Sequence, residues 1–480
     1  MTLASPPKVM EAPAEGFRRG LLDRAILVLI GVLLVEVLLE GWLVTVFGGV
    51  DADGDVIQAQ WPKTLKIALY LTLFVLTVVK ITADKRWGSF RTKADMAIVV
   101  LGVVLTISGV LGGSDAGLIF DALFVYFRGA IIFYAVRAVR PDWTQARPFA
   151  WAVGGVVALN CLLAIVQLVG GTAAYRALGW VNLQWADEGR AQGLLEHPND
   201  LGHVTGLALL ALVAWIAVAD RVAKRWWALL IILGFVLGIA QSRHSTIAAL
   251  AGVVVIAGLN RAHWKRMAAA VVAIGALSAL PIALDADRRA GLMIRFEGFF
   301  RAIGVDVEHR DPCAFDPRCE ETAGEVRVLF IKQGVKLFEH EPVFGYGIGQ
   351  FGGIVAVRND PAWNMDPRFV EVLGPLGFHM SKFEAVSVDV FWLHLLVEAG
   401  AVGLVAYLVW MALVASPLIG AAWRRAGPAR DRAMFLFAVA TLGFGLVIAA
   451  WSISLEDPLW PPLMFAVLGF AWVCRERVKA

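Results

Sequence analysis

The feature that most constrains the fold is a succession of apolar runs, each long enough for a helix to cross a lipid bilayer. A transmembrane helix needs about 20 mainly apolar residues to cover roughly 30 Å of hydrocarbon. Because amides in lipid must be hydrogen-bonded within their own segment, such runs form helices. The sequence predicts an all-α, polytopic membrane protein with about twelve spans. These lie at 23–47, 62–80, 94–112, 116–138, 147–170, 199–219, 226–242, 245–261, 266–284, 389–414, 432–452 and 457–474.

The composition excludes a soluble globular protein of this length. Apolar residues make up 59% of the chain, charged residues 17%, and the mean hydropathy is +0.70, values outside the usual range for soluble domains. The first apolar run is too long for a cleaved signal peptide. We therefore expect a polar cytoplasmic tail at 1–22, spans one to nine within 23–284, spans ten to twelve within 389–474, and a short tail at 475–480.

The placement of charge predicts the topology. Arginine and lysine fill every second short joint and both ends, while the intervening joints carry acids. By the positive-inside rule both termini face the cytoplasm. The long polar segment Asp285–Val388 then forms a large loop on the outer side of the membrane, in which Val326–Phe338 has the apolar pattern of a helix on the membrane or the bundle.

Two cysteines are candidates for a disulfide, and one acidic stretch is a candidate for a metal site. Cys313 and Cys319 lie within DPCAFDPRC, where an oxidising compartment permits a disulfide, although two free thiols are an open alternative. The acidic stretch 51–55 lacks the glycine and glutamate positions of a calcium loop. No metal is expected.

Three polar residues from separate joints between spans are predicted to meet at the outward-facing surface of the membrane. Arg190 ends the loop before span six, Arg243 lies in the short turn between spans seven and eight, and Asp389 opens span ten. Guanidinium groups form bidentate contacts with phosphates. Each position also has a simpler interpretation: helix capping by Asn199 accounts for the end of the first loop, headgroup snorkelling for Arg243, and helix capping for Asp389.

A glycine-rich stretch, PVFGYGIGQF, follows within the polar loop. No strand precedes it and nucleotides are scarce outside the cytoplasm, so a nucleotide site is disfavoured. Gly345 and Gly347 are expected to let backbone approach backbone or substrate.

Together these residues resemble the O-antigen ligase and O-antigen polymerase superfamily of bacterial envelope glycosyltransferases. The resemblance covers about residues 185–410 and rests on four motifs. These are Arg190 with Gly193 and Pro198-Asn199, Ser242-Arg243, the proline and glycines of PVFGYGIGQF, and Leu-Val-Glu398-Ala-Gly-Ala-Val-Gly. The first five spans match only in hydropathy.

The resemblance implies a protein of the bacterial inner membrane in which the loop 285–388 is periplasmic. It also implies a donor glycan linked to polyprenyl (undecaprenyl) pyrophosphate, with Arg190 and Arg243 binding the pyrophosphate. Gly193, Asn199, Gly345, Gly347 and Glu398 are expected to support the site. Many members carry a His-Asn pair nine residues before the glutamate, where this chain has Asp389-Val390. The departure favours a polymerase of exopolysaccharide or O-antigen over a ligase that transfers glycan to lipid A-core.

The expected chemistry is attack by a sugar hydroxyl on an anomeric carbon, which inverts that centre. Two fixed guanidiniums can stabilise the charge that grows on the leaving pyrophosphate, so neither a metal nor another cofactor is expected. A general base assists the hydroxyl. Asp389 is the first candidate for this role and His379 the second.

The expected partners are the lipid-linked donor, a glycan or lipid A-core acceptor, the bilayer, and chain-length regulators or export proteins; no nucleic acid is expected. A flippase for lipid-linked glycans and a non-catalytic scaffold are the competing classes. The sequence shows no internal repeat of the kind common in transporters. The charges gather at one membrane face instead.

Overall fold

The computed structural model describes residues 13–50, 56–284, 326–378 and 387–479, and the single positions 289, 293 and 297. Its first half contains helices α1 (Pro13–Val46), α2 (Trp61–Ala83), α3 (Lys93–Leu111), α4 (Ala116–Val139), α5 (Trp143–Ala177), α6 (Gln184–Asp187), α7 (Pro198–Val218), α8 (Lys224–Ala240), α9 (Arg243–Leu259) and α10 (Trp264–Ala283). The second half contains α11 (Val326–His340), α12 (Ile354–Asn359), α13 (Pro367–Leu373), α14 (Phe391–Trp423), α15 (Ala429–Ile448) and α16 (Trp460–Lys479). Short 3-10 turns lie at Trp87–Phe90, Arg261–His263 and Trp363–Met365.

The prediction of an all-α polytopic membrane protein is confirmed. A helix lies over each of the twelve apolar runs, and the strands among the described residues form one two-residue pairing, β1 (Gly49–Val50) with β2 (Val56–Ile57). By length and composition, 8 described helices can each cross a membrane, and α9 and α10, bent by 105° at their junction, qualify together as a ninth. The number of crossings stays a prediction.

Several helix boundaries follow from side-chain caps on the orphan amides of the first turn. Thr92 and Asp95 form a reciprocal capping box at the start of α3, Asp115 caps α4, and Asp142 caps α5. The first helix begins at Pro13, ten residues before the predicted start of span one.

The long helices pack pairwise around one apolar core. The main pairs are α1 with α2, α3 with α14, α4 with α16, α8 with α10 and α9 with α15, and α7 packs against α8, α9 and α15. Helix α7 is the most enclosed of the candidate spans.

Residues 326–378 form a cap with a second apolar core that rests on the start of α14. The cluster contains Phe330, Leu337, Tyr346, Phe351, Ala356, Trp363, Phe369, Phe378, Val388, Val390, Leu393 and Val397. Gly334 of α11 faces the Leu393 side chain at a distance that leaves no room for a Cβ. The described part of the predicted polar loop thus contains three α-helices and packs against the start of α14.

Candidate active site

The loop that carries Arg190 is held by two buried amide side chains of α5. Gln167 Oε1 accepts hydrogen bonds from the backbone N–H groups of Gln192 (3.0 Å) and Gly193 (2.7 Å), and its Nε2 donates to Gly193 O (2.9 Å). Asn160 Oδ1 accepts from Leu194 N (2.7 Å). Gly193 has φ +65°, and a Cβ there would lie 2.8 Å from Asn160 Oδ1. Glycine is therefore required at this position.

Arg190 is fixed by contacts from four directions. Its Nη2 donates to Asn199 Oδ1 (3.1 Å) and to the Ala240 carbonyl (3.3 Å), and Nη1 lies 3.7 Å from Glu188 Oε2. Its guanidinium carbon lies 5.0 Å from the centre of the Trp185 ring. The side chain is only 14% exposed. A preorganised cation of this kind needs little reorganisation to bind an anion.

Helix α7 is capped by His197, not by Asn199 as the capping interpretation had it. His197 Nδ1 accepts the Asn199 backbone N–H (3.0 Å), and Asp200 Oδ2 accepts the His197 backbone N–H (3.2 Å). Burial, followed by the charges of Arg190 and Arg327, lowers the pKa of His197 to about 4. The ring is neutral at pH 7, and because Nδ1 accepts, Nε2 carries the proton as a donor.

Arg243 is the first residue of α9, and its side chain is exposed. The preceding Ser242 is buried, with its Oγ 2.6 Å from Ser245 Oγ. Gly202 of α7 lies against Ser242, since a Cβ on Gly202 would be 2.6 Å from Ser242 Cβ. The α9 start, and with it Arg243, is therefore packed beside the first turns of α7.

Asp389 precedes α14 without capping it, so the capping interpretation of this residue is wrong. The helix begins at Phe391, and its N-cap is Val390. The Asp389 side chain is about half exposed, and its Oδ2 lies 3.3 Å from Arg327 Nη2. Arg327 belongs to the first turn of α11, so this ion pair links the cap to the start of α14.

Arg190 and Asp389 are connected through Arg327 and the histidines, and Arg243 directly precedes His244 in α9. Arg190 and Arg327 both lie close enough to His197 and His244 to act on them electrostatically. Since Arg327 also pairs with Asp389, residues of the α5–α7 loop, α7, α9, α11 and the α14 start meet at one end of the bundle. We call this set, whose positive charge is carried by its three arginines, the cationic cluster: Arg190, Arg243, Arg327, His197 and His244.

Glu398 is buried in α14 and binds the glycine-rich loop rather than the cationic cluster. Its Oε1 accepts the backbone N–H groups of Gly349 (3.0 Å) and Phe351 (3.1 Å), and its Oε2 accepts the Tyr126 hydroxyl (3.0 Å). A carboxylate that receives three donors in the interior is a strong structural anchor.

Gly345 and Gly347 bring the same loop against the backbone of α14. Tyr346 N, between the two glycines, donates to Val397 O (2.9 Å), and Gly347 N donates to Glu398 O (2.9 Å). Both glycines have positive φ, +67° and +104°, and a Cβ on Gly345 would lie 2.6 Å from the Glu398 carbonyl carbon. These glycines serve the close approach of two backbones.

His379, Cys313, Cys319 and the acidic stretch 51–55 lie outside the described residues. Their predicted roles stay predictions. Cys161 and Cys474 are buried free thiols.

Residues 228–408 match the family model described as O-antigen ligase. This match supports a relationship of the chain to the O-antigen ligase and polymerase superfamily. The resemblance found in the sequence is confirmed, and the match supports a glycosyltransferase of the O-antigen ligase or polymerase type. The matched region contains Arg243, Arg327, Asp389 and Glu398, whereas Arg190 precedes it. No curated protein matches the chain.

Sequence reasoning missed Arg327 and the role of three histidines, His197, His203 and His244. Arg327 lies in a segment recognised only for its apolar face, and nothing in its spacing connects it to Asp389. His203 and His244 are 41 residues apart, yet their Nε2 atoms lie 3.2 Å from each other. The one sequence signal that could have indicated these residues is a histidine within an apolar span, close to the capped start of a helix.

Proposed function

We propose that this protein is an inverting glycosyltransferase of the inner membrane. It moves a glycan from a polyprenyl-pyrophosphate donor to a sugar hydroxyl on the periplasmic face, and it polymerises exopolysaccharide or O-antigen repeat units. The observation that carries the proposal is the cationic cluster, in which a rigidly held Arg190 lies in a bundle whose residues 228–408 match O-antigen ligase.

The donor is bound by its pyrophosphate. Arg190 and Arg243 contact the phosphate oxygens, His197 adds a neutral Nε2–H donor, and Arg327 is close enough to contribute. As the bond between the anomeric carbon and pyrophosphate breaks, negative charge grows on the leaving oxygen. Fixed donors aimed at that charge stabilise the transition state more than the ground state.

The acceptor hydroxyl loses its proton to a general base. The sequence predicts Asp389 first and His379 second for this role. In the ground state Asp389 pairs with Arg327, so a donor phosphate that drew Arg327 away would also release the carboxylate.

Polymerisation is favoured over ligation because Asp389-Val390 stands where many ligases are expected to carry His-Asn. Transfer to lipid A-core is the second candidate, favoured by the description of the matching family. A flippase for lipid-linked glycans is the alternative of another class.

The test is a reconstitution with purified protein in detergent and a polyprenyl-pyrophosphate oligosaccharide, with products resolved by chain length. We expect a ladder of lengthening lipid-linked glycan. Arg190→Ala and Arg243→Ala should each lower the rate by about 10²-fold or more, as loss of one oxyanion donor does. Arg190→Lys should not restore it, since one ammonium cannot reproduce the guanidinium fork.

The matched control is Arg261→Ala, which removes an exposed arginine just beyond the other end of α9 and should leave the rate unchanged. A single transfer that required added lipid A-core would replace the polymerase with a ligase. Movement of fluorescent donor across proteoliposomes without product would favour the flippase.

A further inference from the structure

A cavity of about 370 Å³ lies between the C-terminal ends of α14 and α16. Its volume falls within the range of small-molecule sites, about 300–1,000 Å³. Asp389 precedes the other end of α14, so the cavity is separate from the candidate active site. Two arginines and three small apolar residues line it: Arg424, Arg475, Ala421, Ala426 and Val478.

Packing contacts fix both sides of the cavity. Trp472 Nε1 of α16 donates to Val414 O of α14 (3.0 Å), and this hydrogen bond is buried. Beyond the end of α14, Gly427 packs on α16, since a Cβ on Gly427 would lie 2.8 Å from Val478 Cγ2. The cavity therefore belongs to the packed fold.

The two arginines that line the cavity lack a counter-charge inside it. Their guanidinium groups are close enough to repel each other. Arg475 is partly buried, and its Nε has no hydrogen-bond partner in the part of the chain that the structure describes. An anion held between Arg424 and Arg475 would remove the repulsion and accept hydrogen bonds from both.

The acids closest in sequence are engaged with other residues. Glu476 Oε2 lies 3.0 Å from Arg140 Nη2 at the end of α4. Asp431 Oδ1 accepts the Trp143 Nε1–H of α5 (2.8 Å). The anion that the cavity can hold is therefore a ligand from outside the chain, and guanidinium groups are suited to the oxygens of a phosphate.

Trp423 places the cavity at the level of the lipid headgroups. It directly precedes Arg424, its side chain is 61% exposed, and tryptophan is enriched at the interface between membrane and water. The sequence predicts that this end of the bundle faces the cytoplasm. The cytoplasmic leaflet carries anionic lipids, and basic pockets between spans on this side bind anionic headgroups.

We propose that this cavity binds an anionic phospholipid, with Arg424 and Arg475 contacting the phosphate. Ala421, Ala426 and Val478 then contact the glycerol and the first acyl carbons, which is why a phospholipid is favoured over free phosphate. The site does not depend on the function proposed above.

A simpler interpretation of the two arginines exists. Helix dipoles favour cations at C-terminal ends, and arginines near span ends extend to the headgroups without selecting a lipid. This interpretation requires neither the cavity nor its apolar wall. A variant that fills the cavity and keeps every charge therefore separates the two.

The test uses the full-length protein, delipidated in a neutral detergent and titrated with dioleoylphosphatidylglycerol or dioleoylphosphatidylcholine. Native mass spectrometry counts the bound lipid. We expect phosphatidylglycerol to be preferred, and the combined variant Arg424→Gln, Arg475→Gln to bind it about tenfold more weakly, as loss of charge-assisted hydrogen bonds does. The matched control is the combined variant Arg91→Gln, Arg147→Gln. It removes two exposed arginines at the same predicted membrane face and should change binding by less than about twofold.

Ala426→Trp is the second variant, because it fills the cavity without changing the charge. It should weaken the binding of phosphatidylglycerol by a similar factor. Because one variant alters charge and the other volume, misfolding of either, seen by thermal unfolding without lipid, leaves the other as the test. Unchanged binding in a folded variant, or an equal loss in the control, would overturn the site. Displacement of the lipid by inorganic phosphate at an equal concentration would overturn its assignment to a phospholipid.

Discussion

At the scale of single residues, His197 makes the stability of the fold depend on pH, because its ring caps a helix only while it is unprotonated. Its Nδ1 caps α7 only while the ring is neutral, and burial with Arg190 and Arg327 nearby keeps it neutral by lowering its pKa to about 4. The unfolded chain binds a proton there near pH 6.5. Between these values the unfolded state binds more protons, so the free energy of unfolding rises with pH.

We predict that this contribution is complete above about pH 6.5 and is lost as the pH falls towards 4. His197→Asn should keep a side-chain cap and remove the titration. The midpoint of thermal unfolding in detergent, measured at pH 7 and pH 4.5, should therefore fall less in the variant than in the wild type. Equal falls in both proteins would show that His197 does not titrate in this range.

At the scale of elements, the break in α14 is the feature that joins the cap to the bundle. Gly400 has φ 62° and ψ −168° within the helix. The amide freed at Ala401 donates to Pro342 O (2.9 Å), and the Ser108 hydroxyl of α3 reaches Glu398 O (2.7 Å). The glycine-rich loop thus completes the hydrogen bonding of a broken span, which lipid could not do.

We predict that Gly400→Ala lowers the free energy of unfolding by at least about 2 kcal/mol, because this backbone region is nearly restricted to glycine. A Cβ would also lie 2.7 Å from Phe344 N. Gly275→Ala is the control, since a Cβ there meets nothing within 4 Å and alanine favours the helix. Thermal unfolding in detergent measures both, and equal stability of the two variants would contradict the prediction.

Much of this element structure could be predicted from the sequence, and the reasons are local. Apolar length alone locates the twelve helices, because hydrocarbon thickness fixes it. Arg190, Arg243 and Asp389 could be predicted to share one face, since helices alternate direction. The Arg327–Asp389 pair, the His203–His244 pair and the break at Gly400 could not, because they depend on how helices distant in sequence rotate and pack.

At the scale of the whole molecule, the cationic cluster lies at the end of the bundle where α2 begins and α3 ends. The sequence predicts that this end faces the periplasm. A cysteine at Val343, which is 53% exposed in the glycine-rich loop, should react with a membrane-impermeant maleimide in intact cells. A cysteine at Trp87, 49% exposed in the turn between α2 and α3, should react only after permeabilisation. The labelling of the protein without the added cysteine is subtracted from both signals. A reversed pattern would show that the topology is the inverse of the predicted one.

The junction between the glycine-rich loop and α14 also limits which segments can be exchanged between related proteins. The hydrogen bonds that join residues 342–349 to residues 397–402 run between backbone atoms, apart from the one that the Glu398 side chain accepts from Gly349 N. Either segment alone, moved into a relative, would face carbonyls in a different register. The two segments should therefore be transferred together. Chimeras that alter acceptor choice should have their junctions before α11 and after Gly403, and no junction between these two points.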